Sequence, residues 1–269
     1  MSSQPPHGPL CTLDSLSSDL RALGAAPGET LLVHSSLSAL GWVCGGAPTV
    51  VRALLDVLGP DGTLVVPTHS TENSDPAGWI APPVPRAWWD EIRATMPAYD
   101  PRTTPTRGVG LIPETVRTWP GAVRSDHPQT SFTAIGPRAR TLTAGHALDC
   151  MFGEESPLAR LEEAGARVLL LGADYDSCSA FHLAEYRLAS PPLDDNSFAV
   201  QTPQGRRWVT VRDVAVDEED FERLGADFEG QGPVVHGTVG RARARLFPLA
   251  DAVAYAERWL GEHRVPAGG

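Results

Sequence analysis

At 269 residues, with 42% hydrophobic and 20% charged side chains, the chain is long enough to bury a sizeable core, and no apolar run approaches the ~20 residues needed to cross a bilayer. Its 33 acidic and 22 basic side chains leave a net charge of −11, a field that repels phosphate backbones and draws cations, so nucleic acid and membrane are excluded as expected partners. All 22 basic residues are Arg, which removes a Walker-type phosphate loop and any Schiff-base lysine. MSSQPPHGPL lacks the basic and apolar regions of a secretory signal, so a cytoplasmic location is expected. Cys11, Cys44, Cys150 and Cys178 form no C-x-x-C pair and read as reduced thiols, with neither a disulfide framework nor a metal site.

In chain order, residues 1–11 read as a disordered Pro-rich tail and residues 12–269 as one α/β domain. Leu13, Leu16, Leu20 and Leu23 share a helical face between a Thr12 N-cap and a Gly24 stop. Thr30 to Val33 and Thr63 to Val66 read as apolar strands around a helix that begins near Pro48, a β-loop-α-β crossover suited to parallel pairing. From Thr68 to Gly110 the pattern gives way to a long excursion with one helical island around Trp88 to Thr95, of the kind that builds pockets. Helices follow near Leu111 to Trp119, Arg138 to Ala144 and Leu158 to Ala164, with strands at Phe132 to Ile135 and Val168 to Leu171. The last strand runs into a helix starting near Ser177. Phe198 to Gln201 and Trp208 to Val211 read as a hairpin. The acidic segment Asp213 to Asp220 then leads to a helix, a strand near Val234 and a final helix from Pro248 to Leu260. The fold class is therefore a mixed, largely parallel central sheet flanked by helices, with a smaller antiparallel and helical part.

Two places carry possible chemistry. The loop VHSSLSALGWVCGG, residues 33–46, offers the hydroxyls of Ser35, Ser36 and Ser38 and the glycines Gly41, Gly45 and Gly46 before a helix N-terminus, which suits a phosphate or pantetheine cradle; an ordinary β-to-α loop has the same spacing. His182 lies after a strand, where open α/β sheets place ligands, with Glu185 three residues on along the same helical face. The pair reads as a base and its companion acid, or as a core histidine satisfied by its surroundings. His34, His69 and His127 rank below it. The acidic residues Asp213, Asp217, Glu218, Glu219 and Asp220 are either a solvated first turn or a rim for a polycation.

Taken together, LLVHSSLSALGWVCGG, LGPDGTLVVPTHS, MPAYDPRTTPTRGVG, RSDHPQTSFTAIGPRA, EESPLARL and VLLLGADYDSCSAFHLAEYR, in order from about Leu31 to Arg187, resemble the aminoglycoside N3-acetyltransferase family. The resemblance implies acetyl transfer from acetyl-coenzyme A, without metal, to the 3-amino group of the 2-deoxystreptamine ring of a cationic aminoglycoside. It also implies a fold distinct from the other large N-acetyltransferase superfamily, in a monomer or homodimer. His182 matches the family's catalytic histidine, with Glu185 as companion and Thr68 as a hydroxyl near the thioester. His34, Ser35, Ser36, Leu37, Ser38, Gly41, Trp42, Val43, Gly45 and Gly46 match a coenzyme A cradle, with further contacts at Thr106, Gly108, Val109, Gly110, Ser131 and Phe132. Asn73, Asp75, Tyr99, Asp174, Asp217, Glu218, Glu219 and Asp220 are expected to meet the drug. The same scaffold acetylating another amine, and a non-catalytic binder of cationic metabolites, are the competing readings.

Overall fold

The computed structural model describes residues 8–264. The first helix, α1 (Leu13–Leu23), opens on a reciprocal capping box: Thr12 Oγ1 accepts the Ser15 N–H and Ser15 Oγ accepts the Thr12 N–H. It closes at Gly24, whose φ of 105° is left-handed and suited to glycine. Residues 1–7 of the expected tail lie outside the described residues. Its last residue corrects the expectation: Cys11 is buried, and its N–H and C=O bond to Trp42 and Cys44, tying it to the loop at 42–44.

Next come β1 (Thr30–Ser35), α2 (Ala47–Leu58) and β2 (Thr63–Pro67), the expected crossover. β1 pairs in parallel with β2, Leu31 opposite Leu64, and on its other side with β5 (Arg167–Leu171), Val33 opposite Leu169. The remaining strands of the main sheet are β3 (Val123–Arg124), β4 (Phe132–Ile135), β8 (Val235–Val239) and β9 (Ala242–Pro248), and the spatial order is β3-β4-β2-β1-β5-β9-β8. Every pairing outside the central three strands is antiparallel. The sheet is thus mixed as expected, but parallel only at its centre, among β2, β1 and β5. β6 (Leu193–Thr202) and β7 (Gly205–Val214) form a separate ten-pair hairpin, longer than the sequence suggests.

Period-two alternation divides the core between the two faces of the sheet. Leu31, Val33, Leu64, Val66, Leu169 and Leu171 join one apolar layer with α1, α2 and α4 (Leu111–Arg117). Leu32, Val65, Val168 and Leu170 join the other, with α5 (Ala139–Thr143), α6 (Pro157–Glu163), α7 (Ala180–Tyr186), α8 (Phe221–Glu229) and α9 (Leu249–His263). Each such side chain contributes roughly 1.5–3 kcal/mol on burial.

The excursion from Thr68 to Gly110, which includes α3 (Trp89–Thr95), is stitched down by one buried cation. Arg124 donates to Ser131 Oγ (2.9 Å), Thr68 O (2.6 Å) and Thr104 O (2.5 Å), so a single guanidinium satisfies carbonyls from both ends of the loop. Asn73 extends the stitching to the hairpin: its Nδ2 donates to Ala199 O at 3.1 Å, and its Oδ1 accepts the Ala199 N–H at 3.0 Å.

Candidate active site

β1 is flanked by β2 on one side and β5 on the other, so the loops leaving their carboxyl ends diverge and open a crevice between them. That crevice is a cleft of about 1120 Å³. Its walls come from residues between His34 and Gly46 at and beyond the end of β1, though not Gly45, from Pro67, His69 and Thr71 at and beyond the end of β2, and from Arg107 to Leu111. Gln129, Thr130, Met151 and Phe152, the start of α7, and Asn196, Val216 and Glu218 complete it.

His182 reaches this cleft from the first turn of α7. Its Nδ1–H donates to Glu185 Oε2 at 2.6 Å, and the ring stacks on Phe152 at 4.6 Å and 16° while Phe221 packs against it, tilted by 51°, at 4.8 Å. The i, i+3 spacing gives the contact, because residues three apart on a helix are neighbours. Glu185 itself is only 1% exposed. Its Oε1 accepts the Asp217 N–H at 3.0 Å and a bond from Arg264. The carboxylate is therefore fully engaged and fixes the imidazole tautomer, leaving Nε2 as the ring nitrogen on the cleft side.

Two more histidines lie at the floor of the cleft. Burial, with His182 close by, holds His34 down to about 3, and burial with His34 and His182 close by holds His69 at about 3. Both keep a buried Nε2 with no hydrogen-bond partner. His69 is a site residue that the sequence reading ranked low; the signal was its place just past the carboxyl end of a parallel strand. His127 is different: its Nδ1 accepts the N–H groups of Gln129 and Thr130 and its Nε2 donates to Leu148 O, so it is a satisfied core residue.

Of the proposed cofactor residues, His34, Ser35, Ser36, Leu37, Ser38, Gly41, Trp42, Val43, Gly46, Gly108, Val109 and Gly110 line the cleft together. Four do not. Gly45 (φ 82°) turns the chain into α2, where a Cβ would meet Thr49 Oγ1 at 2.5 Å. Thr106 gives its N–H to Glu114 Oε2. Ser131 is buried against Arg124 and Thr68, and Phe132 points into the core of β4.

Thr68 is likewise corrected. Its hydroxyl is wholly buried among Ser131 O (3.2 Å), Ser131 Oγ (3.3 Å) and Thr133 Oγ1 (2.9 Å), so it faces the sheet and not the cleft. Among the eight expected drug contacts only Glu218 lines the cleft. Asn73 is spent on Ala199, and Asp75 on the Arg93 guanidinium, which holds its carboxyl below the usual range. The Tyr99 hydroxyl donates to Ser125 O, and burial pushes it up to about 12. Asp174 pairs with Arg245, Asp217 and Asp220 are tied to Arg264, and Glu219 is exposed outside the cleft. Asp176 and Asn196, missed in the sequence, do line the wall.

A cleft at the switch point of a sheet, polar and glycine-rich on one wall and carrying a carboxylate-held histidine on another, is the layout of an α/β enzyme. Comparison narrows the class. Residues 32–261 match the family model for aminoglycoside 3-N-acetyltransferases. The SPbeta prophage-derived aminoglycoside N(3')-acetyltransferase-like protein YokD of Bacillus subtilis (strain 168) is 45% identical over 250 residues, covering 93% of this chain and 92% of YokD. The YokD crystal structure superposes with a TM-score of 0.93 at 44% identity over 94% of each chain. Aminoglycoside N(3)-acetyltransferase VII of Streptomyces paromomycinus is 39% identical over 97% of this chain and 96% of its own. AAC-IIIb, solved as a binary complex with CoASH, superposes with a TM-score of 0.84 at 32% identity, over 97% of this chain and 100% of that one. The chain belongs to the aminoglycoside 3-N-acetyltransferase family and is a transferase.

Proposed function

We propose that the enzyme transfers an acetyl group from acetyl-coenzyme A to the 3-amino group of the 2-deoxystreptamine ring of an aminoglycoside, directly within a ternary complex and with His182 as general base. The observation that carries this reading is the His182–Glu185 pair opening onto a cleft of about 1120 Å³. The likeness to AAC-IIIb with CoASH and to the S. paromomycinus enzyme supports the choice of donor and acceptor.

The residues present fit the donor. Ser36 and Ser38 bring hydroxyls to the wall, and Gly46, the N-cap of α2, has no side chain and open space where a Cβ would stand, which lets a ligand approach the backbone there. Trp42, Val43, Val109 and Leu111 supply apolar wall, and Arg107, ion-paired with Glu72 at 3.0 Å, supplies a cation at the rim. Bound there, acetyl-coenzyme A supplies an activated thioester carbonyl.

On the acceptor side Asp176, Glu218 and Asn196 offer oxygens to a polyamine cation, which the −11 protein attracts at long range. His182 Nε2 takes a proton from the attacking amine and returns it to the departing sulfur, so the ring ends in its starting state. Glu185 holds the imidazole and stabilises its charged form through this cycle. Modification of the drug in this way would make the host resistant to it.

The test is thiol release from acetyl-coenzyme A across a panel of aminoglycosides, wild type beside His182→Ala, with the acetylated nitrogen mapped by NMR. Turnover that needs His182 and modifies N3 is expected. Full turnover in His182→Ala would overturn the role of the base. Thiol release only with other amines would overturn the acceptor while keeping the donor site.

A further inference from the structure

Arg264 follows the last turn of α9 and lies beyond the residues 32–261 that match the family model. Its guanidinium nonetheless reaches the carboxylate behind the cleft histidine. Nη1 donates to Glu185 Oε1, Nε and Nη2 grip the two oxygens of Asp220 at 3.0 and 2.6 Å, and Nη2 also bonds Asp217 O. The cation sits 5.8 Å over the Phe221 ring, the same ring that packs 4.8 Å from His182.

We propose that Arg264 is a positioning residue for acetyl transfer, clamping Glu185 to the 217–220 segment so that the base and the acceptor-side wall are set as one unit. Two carboxylates, Glu185 and Asp220, converge on this one cation, and Glu185 is sealed from water. Without the cation Glu185 loses its countercharge and one of its three hydrogen bonds, and the oxygen that orients His182 is free to turn. A planar fork is required, because three elements are bridged at once: α7, the 217–220 segment and α9. Asp220, expected from the sequence to contact the drug, instead holds this clamp through its carboxylate, and Asp217 joins it through its backbone N–H and C=O.

The inference rests on His182 being the base, and a double-mutant cycle keeps the two claims apart. Arg264→Ala is expected to lower kcat by about 10²-fold, the cost of a small misplacement of a catalytic group, with KM for acetyl-coenzyme A within about twofold. In a Glu185→Gln background the same change is expected to cost less than about threefold, because the partner through which it acts is gone. Arg264→Lys, which keeps the charge but not the fork, is expected to recover only part of the rate, and Asp220→Asn to cost less than Arg264→Ala. Equal losses from Arg264→Ala in both backgrounds would overturn the proposal, as would an unchanged kcat. Normal turnover by His182→Ala would instead overturn the base. If Arg264→Ala fails to fold, the Lys and Asn variants carry the same cycle.

Discussion

Glu185 Oε2 accepts a hydrogen bond from the Nδ1–H of His182 at 2.6 Å from three residues further along α7, and this contact is the only hydrogen bond that the ring makes within the described residues. Glu185→Gln preserves the shape but turns one side of the group into a donor, which then faces either Nδ1–H or the Asp217 N–H and Arg264. Loss of kcat by about 10²–10⁴-fold is expected, with KM for the donor little changed. Steady-state kinetics of the two substrates varied separately decide it.

Thr68→Val tests whether a hydroxyl near the thioester is needed. A lost oxyanion donor costs about 10²–10³-fold in kcat. Because the Thr68 hydroxyl lies among Ser131 and Thr133, the variant is expected to lose about 1 kcal/mol of stability and less than about threefold in kcat. A hundredfold loss of kcat in a folded variant would restore the role.

Asn73→Ala removes two of the three bonds that tie the excursion to Ala199 of the hairpin; the third, from the Tyr99 N–H to Ala199 O, remains. Loss of the partner of the buried Ala199 N–H costs about 1–3 kcal/mol, so denaturant unfolding should register a drop of that size. A KM for aminoglycoside raised tenfold at unchanged stability would mean instead that Asn73 touches the substrate.

Stability should fall as acid is added before any carboxylate titrates. His34 and His69 are held at about 3 and His127 at about 4, chiefly by burial, against 6.5 in the unfolded chain. Between these values the unfolded state binds the extra protons, so stability rises with pH across the window and is lost as pH falls through it. Each such group contributes about 1.4 kcal/mol per pH unit. Glu114, which burial pushes up but Arg117 and the Thr106 N–H bring down to about 2, acts with the same sign only below about 4.5. Tm should therefore drop between pH 7 and pH 5, and His127→Gln should flatten the decline; a level Tm over that range in the wild type would contradict the burial argument.

Gly46→Ala probes the cradle. Gly46 combines φ 66° with ψ −146°, a backbone open essentially to glycine alone, while no atom lies within 4 Å of where a Cβ would stand. Strain of about 1–3 kcal/mol is expected to shift the α2 N-terminus, raising KM for acetyl-coenzyme A more than it lowers kcat. Calorimetric titration of coenzyme A would show the same weakening.

The sequence by itself determined what depends on neighbours along the chain. The Thr12 N-cap, the leucine face of α1, the crossover through α2 and the three parallel strands all follow from period and punctuation. So does the His182–Glu185 pair, because i, i+3 on a helix is already a statement about space. β9 was not legible: ARARLFP alternates with arginines, and Arg245 is buried there only because Asp174 and Glu229 arrive from distant elements to pair with it. The choice among polar side chains was decided by the tertiary structure for the same reason. Thr68 and His69 are adjacent, yet extended backbone sends successive side chains to opposite sides, one into the sheet and one toward the cleft. The Asp220 carboxylate faces a guanidinium because of Arg264, 44 residues further on in the chain, which no local pattern connects to it.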